Sequence, residues 1–187
     1  FKEKKIAKAN KNFGNLSFIN EVFQRCYLND ENTSIYFRQL INNNSDVDYS
    51  RYVFFHINYL IENNQSVELK EVISGMDKLN NTLLISQTKK WLNENKLNRF
   101  NKIFSCKNSN DIISEFFFLI ANLFSSQGNY EKSNFYLNIA NYLNPKFRFN
   151  LSLMVENYYL NNNFKKAQKV LRNFNQKDDF YYWFKIK

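Results

Sequence analysis

Residues 114–147 read SEFFFLIANLFSSQGNYEKSNFYLNIANYLNPKF, and the fold turns on how this stretch is read. Counted from Ser114, apolar or small residues fall at positions 4, 7, 8 and 11, namely Phe117, Ile120, Ala121 and Phe124. That spacing makes one stripe on a helix. Gly128 at position 15 has no Cβ and can adopt the positive φ that ends a helix. A second stripe follows at Tyr130, Leu137 and Ala140, and Pro145 closes the unit because it cannot continue a helix. Moving on by 34 residues gives Leu151, Met154, Val155 and Tyr158, then Phe164, Ala167, Leu171 and Phe174. Asn162 stands where the turn glycine would be, and Asn is the next-best residue for positive φ. Val155 and Phe174 replace small residues, so this second pair should pack less closely.

Weaker units with the same period lie upstream. Leu16 starts one with Ile19, Val22, Phe23 and Cys26, then Ile35. Ser50 starts another with Val53, His56, Ile57 and Leu60, then Leu69, Ile73 and Met76, with Asn64 in the turn. Thr82 to Glu94 forms one further helical pattern with Leu84, Ile85, Trp91 and Leu92, followed by an irregular basic stretch around Arg99 to Lys107. A fixed period of 20–50 residues is the signature of a repeat architecture.

The spacing, the turn glycine, the small residues at positions 8 and 27 and the closing proline resemble the tetratricopeptide repeat (TPR). Ser133 departs from it at position 20, where alanine is usual. The resemblance is close over 114–177 and loose over 16–81. It implies an all-α chain, a right-handed superhelix of antiparallel helix pairs: a TPR-like α-solenoid of about four repeats with an irregular insertion. The expected organisation is a basic flexible N-terminus over 1–12, two degenerate TPR-like helix pairs over 13–81, an extra helix and insertion over 82–113, two regular repeats over 114–177, and a capping helix or the start of a further repeat over 178–187. A bacterial TPR scaffold protein is the implied kind, a binding platform without intrinsic chemistry.

In that register, positions 2, 5, 9 and 12 of each first helix point into a concave groove. The first unit then contributes Asn20, Gln24 and Tyr27, and the second Arg51, Phe54 and Asn58. The third contributes Glu115, Phe118 and Asn122, and the fourth Phe149, Glu156 and Tyr159. These aromatic and amide side chains suit a peptide or partner helix.

Composition narrows the alternatives. The 187 residues are 44% apolar, ample for a core, which excludes a disordered or collagen-like chain. Asn occurs 33 times beside many Lys, Ile, Phe and Tyr, the residues favoured by an AT-rich genome, so Asn clusters are read as turns. The densest apolar run, Phe116 to Phe124, is about half the ~20 residues of a membrane-spanning helix and contains Asn122. The first residue is Phe, so a fragment or mature form of a longer protein is expected, soluble and either cytoplasmic or periplasmic. The net charge of +9 sits at the ends. Residues 1–12 net +4 and 165–187 net +5, while the body carries equal numbers of each sign. A nucleic-acid binder gathers its excess into a face that tracks phosphates, so nucleic acid is disfavoured as partner.

No enzyme is expected, and no cofactor or metal. His56 is the only histidine and reads as a core residue. Cys26 and Cys106 lack metal-ligand spacing; Cys26 lies on an apolar stripe and reads as a small hydrophobe rather than half of a bridge. Gly14, Gly75 and Gly128 are isolated and make no phosphate loop. Asp46/Asp48 and Asp178/Asp179 fall where helices should begin and read as caps. The expected function is therefore a non-enzymatic protein–protein interaction scaffold, with an RNA-binding helical-repeat protein or a structural subunit-assembly platform as the alternatives.

Overall fold

The computed structural model describes residues 14–42, 50–76, 82–174 and 181. The 1–12 segment, the Asp46/Asp48 pair and all of the 178–187 helix except Tyr181 lie outside the described residues. Every regular element among the described residues is helical. In order these are α1 (Gly14–Leu28), α2 (Thr33–Asn42), α3 (Ser50–Glu62), α4 (Ser66–Gly75), α5 (Leu83–Asn93), α6 (Asn98–Ile103), α7 (Ser109–Ser126), α8 (Tyr130–Leu143), a single 3-10 turn at Arg148–Asn150, α9 (Leu151–Leu160) and α10 (Phe164–Leu171).

One backbone feature recurs at the end of every first helix. Asn29, Asn64, Asn95, Gly128 and Asn162 all have positive φ, between 53° and 74°, at intervals of 35, 31, 33 and 34 residues. Each follows α1, α3, α5, α7 or α9 and precedes its short partner helix, so the chain reverses there. Asn serves at four of the five because its short polar side chain tolerates the left-handed region. The stretch expected to be irregular after Glu94 therefore opens as a turn and a helix, α5 and α6 repeating the pairing at reduced length.

The chain divides into two compact units, Phe1–Ile112 and Ile113–Lys187. In the first, α3 packs against α2, α4, α5 and α6. Its residues Tyr52 to Leu60 are buried without interruption, which requires a helix apolar around its whole circumference. The core beside it is aromatic. Phe23 meets Phe37, Tyr52, Phe55 and Phe104 at centroid distances of 5.3–6.1 Å, and Trp91 meets Phe100 at 5.4 Å. Ile35, expected inside, is 52% exposed; Phe37 and Leu40 take the inward positions of α2 instead.

The second unit packs around small residues. Ala121 and Ala140 are fully buried, and Ser114 Oγ donates to the Ala140 carbonyl at 2.7 Å, which joins α7 to α8 at that point. Asn129 and Asn163, 34 residues apart, cap α8 and α10 by accepting from the Lys132 and Lys166 amides. The Asn157 amide ties three helices together. It donates to Ser133 Oγ at 2.7 Å and to Asn134 Oδ1 at 3.0 Å, and accepts from Ser125 Oγ at 2.6 Å. Ser133 is thus more than a small residue in place of alanine, because its hydroxyl satisfies a buried amide. Phe117 and Phe124 are half-buried and stack on Tyr136 at 6.1 and 5.5 Å. Phe164, expected in the core, is exposed against Tyr159.

Candidate functional site

In the first unit the chain itself covers part of the expected groove face. Phe54 has no exposed surface and stacks on Phe100 at 5.5 Å. Asn58 is equally buried, and its Nδ2 donates to the Phe104 carbonyl at 3.0 Å. Phe104 packs on Phe55 at 4.6 Å, Ser105 Oγ donates to Glu62 Oε1 at 2.6 Å, and Cys106 forms a disulfide with Cys26 of α1. Residues 98–106 thus lie against α1 and α3. Phe54 and Asn58 are therefore withdrawn as partner-binding residues. The physical reason is that Phe100, Phe104 and Cys106, read as part of an irregular insertion, need burial and find it on this face. Reading Cys26 as a lone hydrophobe is corrected by the same contact. Arg51 stays half-buried with its guanidinium 5.5 Å from the Phe55 ring centre, Gln24 is half-buried, and Asn20 and Tyr27 are exposed.

In the second unit the corresponding face remains accessible. Glu115 is the exception; at 2% exposure it is withdrawn as a groove residue. Phe118 and Phe149 are half-buried, while Asn122, Glu156 and Tyr159 are exposed. Tyr159 is 63% exposed and meets the Phe164 ring edge-on at 5.4 Å, a two-ring patch that the sequence reading, with Phe164 assigned to the core, did not contain.

A polar cluster around His56 in the first unit was also not anticipated beyond its burial. Ser34 Oγ donates to the Glu68 carboxylate through a short hydrogen bond and lies 2.8 Å from His56 Nε2. Since the hydroxyl proton goes to Glu68, His56 Nε2 must carry its own proton and donate to Ser34. Burial, aided by the Arg38 charge, lowers His56 to about 3, so the ring is neutral. Its Nδ1 is buried without a hydrogen-bond partner. Arg38 pairs with Glu68 at 3.1 Å and Glu71 at 2.9 Å, beside a cleft of about 260 Å³ that His56, Val53 and Val72 also line. A serine nucleophile needs a bare ring nitrogen facing its hydroxyl, and here the relay runs the opposite way. The three residues come from α2, α3 and α4, so no local motif could have shown them.

Among the described residues no group of three or more His, Cys, Asp or Glu is placed to hold a metal ion, and no helix is long and apolar enough to cross a membrane. Compared with protein-family models, with curated proteins and with solved structures, the chain matches none.

Proposed function

We propose that the chain is a non-enzymatic protein-interaction scaffold, a TPR-like array of helix pairs that holds an extended peptide or a partner helix on the first-helix faces of its second unit. The observation that carries this reading is the accessibility of Tyr159, Asn122 and Glu156, with Phe118 and Phe149 half-covered, at positions the 34-residue register turns to one side. The recurrent left-handed turn residue supports the repeat organisation on which the superhelix depends. Aromatic side chains flanked by amides are what peptide-binding hot spots use. A homo-oligomeric assembly platform is the second reading, favoured by the exposed Ile113, Phe116 and Leu123 along α7 and by Phe135 and Tyr142 on α8.

The test begins with partners co-purified from the native source and identified by mass spectrometry. Tyr159→Ala and Phe118→Ala should each weaken the recovered complex by about 1–3 kcal/mol while changing the melting temperature little. The affinity should vary modestly with salt. A steep salt slope, with loss only on neutralising Lys165, Lys166 and Lys169, would replace the groove by a polyanion-binding surface. Recovery of the chain only with itself, at a molar mass that Phe116→Asp reduces to the monomer, would favour the assembly platform.

The disulfide refines the compartment within the same proposal. Buried structural disulfides persist where the surroundings are oxidising, so the Cys26–Cys106 bridge favours such a compartment over a reducing cytosol. Protein isolated without reductant should therefore take up no alkylating label when denatured. Two labelled thiols would refute this assignment.

A further inference from the structure

A second concavity lies on a different face of α9 from Glu156 and Tyr159. Residues two apart on a helix point about 200° away from each other. Leu151, Met154 and Tyr158, at i, i+3 and i+7, share one stripe of α9 that points away from Glu156 and lies about 100° round from Tyr159, and together they floor a cleft of about 810 Å³ in the second unit. Leu151 and Met154 are buried, and Tyr158 is half-buried. α10 contributes Lys166, Lys169 and Val170, and α8 contributes Asn138 and Asn141. Pro145, Arg148 and Asn173 complete the described lining. Arg148 is held in place by donating from Nη2 to the Asn173 carbonyl at 2.6 Å and by lying 4.5 Å above the Phe174 ring centre.

The chemistry of this lining is selective. Two lysines and an arginine line the cleft, with no carboxylate among the described lining residues. Part of the positive charge that the sequence places near the C-terminus is thereby collected at one concave site. The amides of Asn138, Asn141 and Asn173 each offer both a donor and an acceptor. A free carboxylate has acceptors only and leaves the amide oxygens unused, and a free phosphate adds only its hydroxyl as donor. A peptide main chain presents donor and acceptor together. The apolar floor adds room for a hydrophobic side chain, and the volume lies in the range of ligand-binding clefts.

We propose that this cleft binds a short acidic peptide segment that carries an apolar side chain. Carboxylates meet Lys166, Lys169 and Arg148, the main chain meets the asparagines, and the apolar side chain rests on Met154 and Leu151. The site does not depend on the groove reading, because none of its lining residues is among the groove positions.

The test uses the full chain and a fluorescein-labelled peptide of alternating Asp and Leu, with binding followed by anisotropy at physiological salt. Lys166→Glu with Lys169→Glu should lower affinity by about tenfold or more. Lys165→Glu with Arg172→Glu makes the same charge change at exposed positions outside the lining, and should lower affinity by no more than about threefold. All four side chains are exposed, so the melts should be unchanged; if charge reversal alters them, Lys166→Gln with Lys169→Gln takes its place. A peptide with Ser for Leu should bind much more weakly, and Tyr159→Ala should bind the probe as the parent does. Equal losses in the two charge variants would overturn the proposal. So would undiminished binding of the Ser peptide, loss of probe binding in Tyr159→Ala, or tighter binding of an oligouridine of equal charge.

Discussion

α3 of the first unit and α9 of the second begin from the same register, yet one is enclosed and the other open. α3 is buried from Tyr52 to Leu60, with its position-5 phenylalanine under Phe100 and its position-9 asparagine bound to Phe104. α9 buries Leu151, Met154, Val155 and Asn157 and leaves Glu156 and Tyr159 exposed. Register decides which way a side chain points. It does not decide whether another part of the chain comes to cover it. In the first unit residues 98–106 do so over Phe54 and Asn58, fastened by a disulfide, while Tyr27 of α1 stays exposed; in the second unit Tyr159 stays exposed.

The sharpest way to break this contrast is to cut the fastening. Cys26 and Cys106 are 80 residues apart, and closing a loop of that size is worth up to about 4.5 kcal/mol in unfolded-chain entropy. Replacing both by Ala should destabilise the first unit by a few kcal/mol in urea denaturation and leave the second unit's transition in place. A comparable effect is expected from Phe54→Ala, about 3–5 kcal/mol from the lost burial and the cavity. Phe118→Ala, at the matching register position of the second unit, should cost far less. Equal costs would mean that Phe118 is also core.

The fully buried Ala121 of the second unit gives a smaller effect. Ala121→Leu has no room and should cost about 1–3 kcal/mol, read as a melting temperature several degrees lower; an unchanged melt would argue against the register.

His56 sharpens the comparison through pH. Its folded value, about 3, lies below the ordinary 6.5, so as pH falls the unfolded chain takes up the proton first. Its contribution is complete above about pH 6.5 and is lost as the pH falls toward 3, by up to about 1.4 kcal/mol per pH unit. Between pH 6.5 and 5 the first unit should lose stability in the parent and not in His56→Gln. A parent without that slope would show that the ring is not held neutral.

Much of the fold was legible because helix periodicity and turn chemistry are local. The stripes of Val53, Ile57 and Leu60 and of Leu151, Met154 and Val155 lie inside as their spacing requires, and Gly128, Asn64 and Asn162 occupy the left-handed turns expected of them. For the candidate groove only exposure can be compared. Tyr159, Asn122 and Glu156 are accessible as the register implied, whereas Phe54, Asn58 and Glu115 are not.

By itself the sequence determined the helical spacing, the 34-residue steps from 16 to 50 and from 114 to 148, and the turns at Asn64, Gly128 and Asn162, since each depends on neighbours within a few positions; the turns at Asn29 and Asn95 and the α5–α6 pair came only with the structure. Only the tertiary structure decided that Phe100, Phe104 and Cys106 would close over α1 and α3, that Ser34, His56 and Glu68 would form one relay, and that Lys166 and Lys169 would line a cleft floored by α9. A periodic pattern records that a face is apolar or charged, and the element that meets that face is fixed by the packing of segments far apart in the chain.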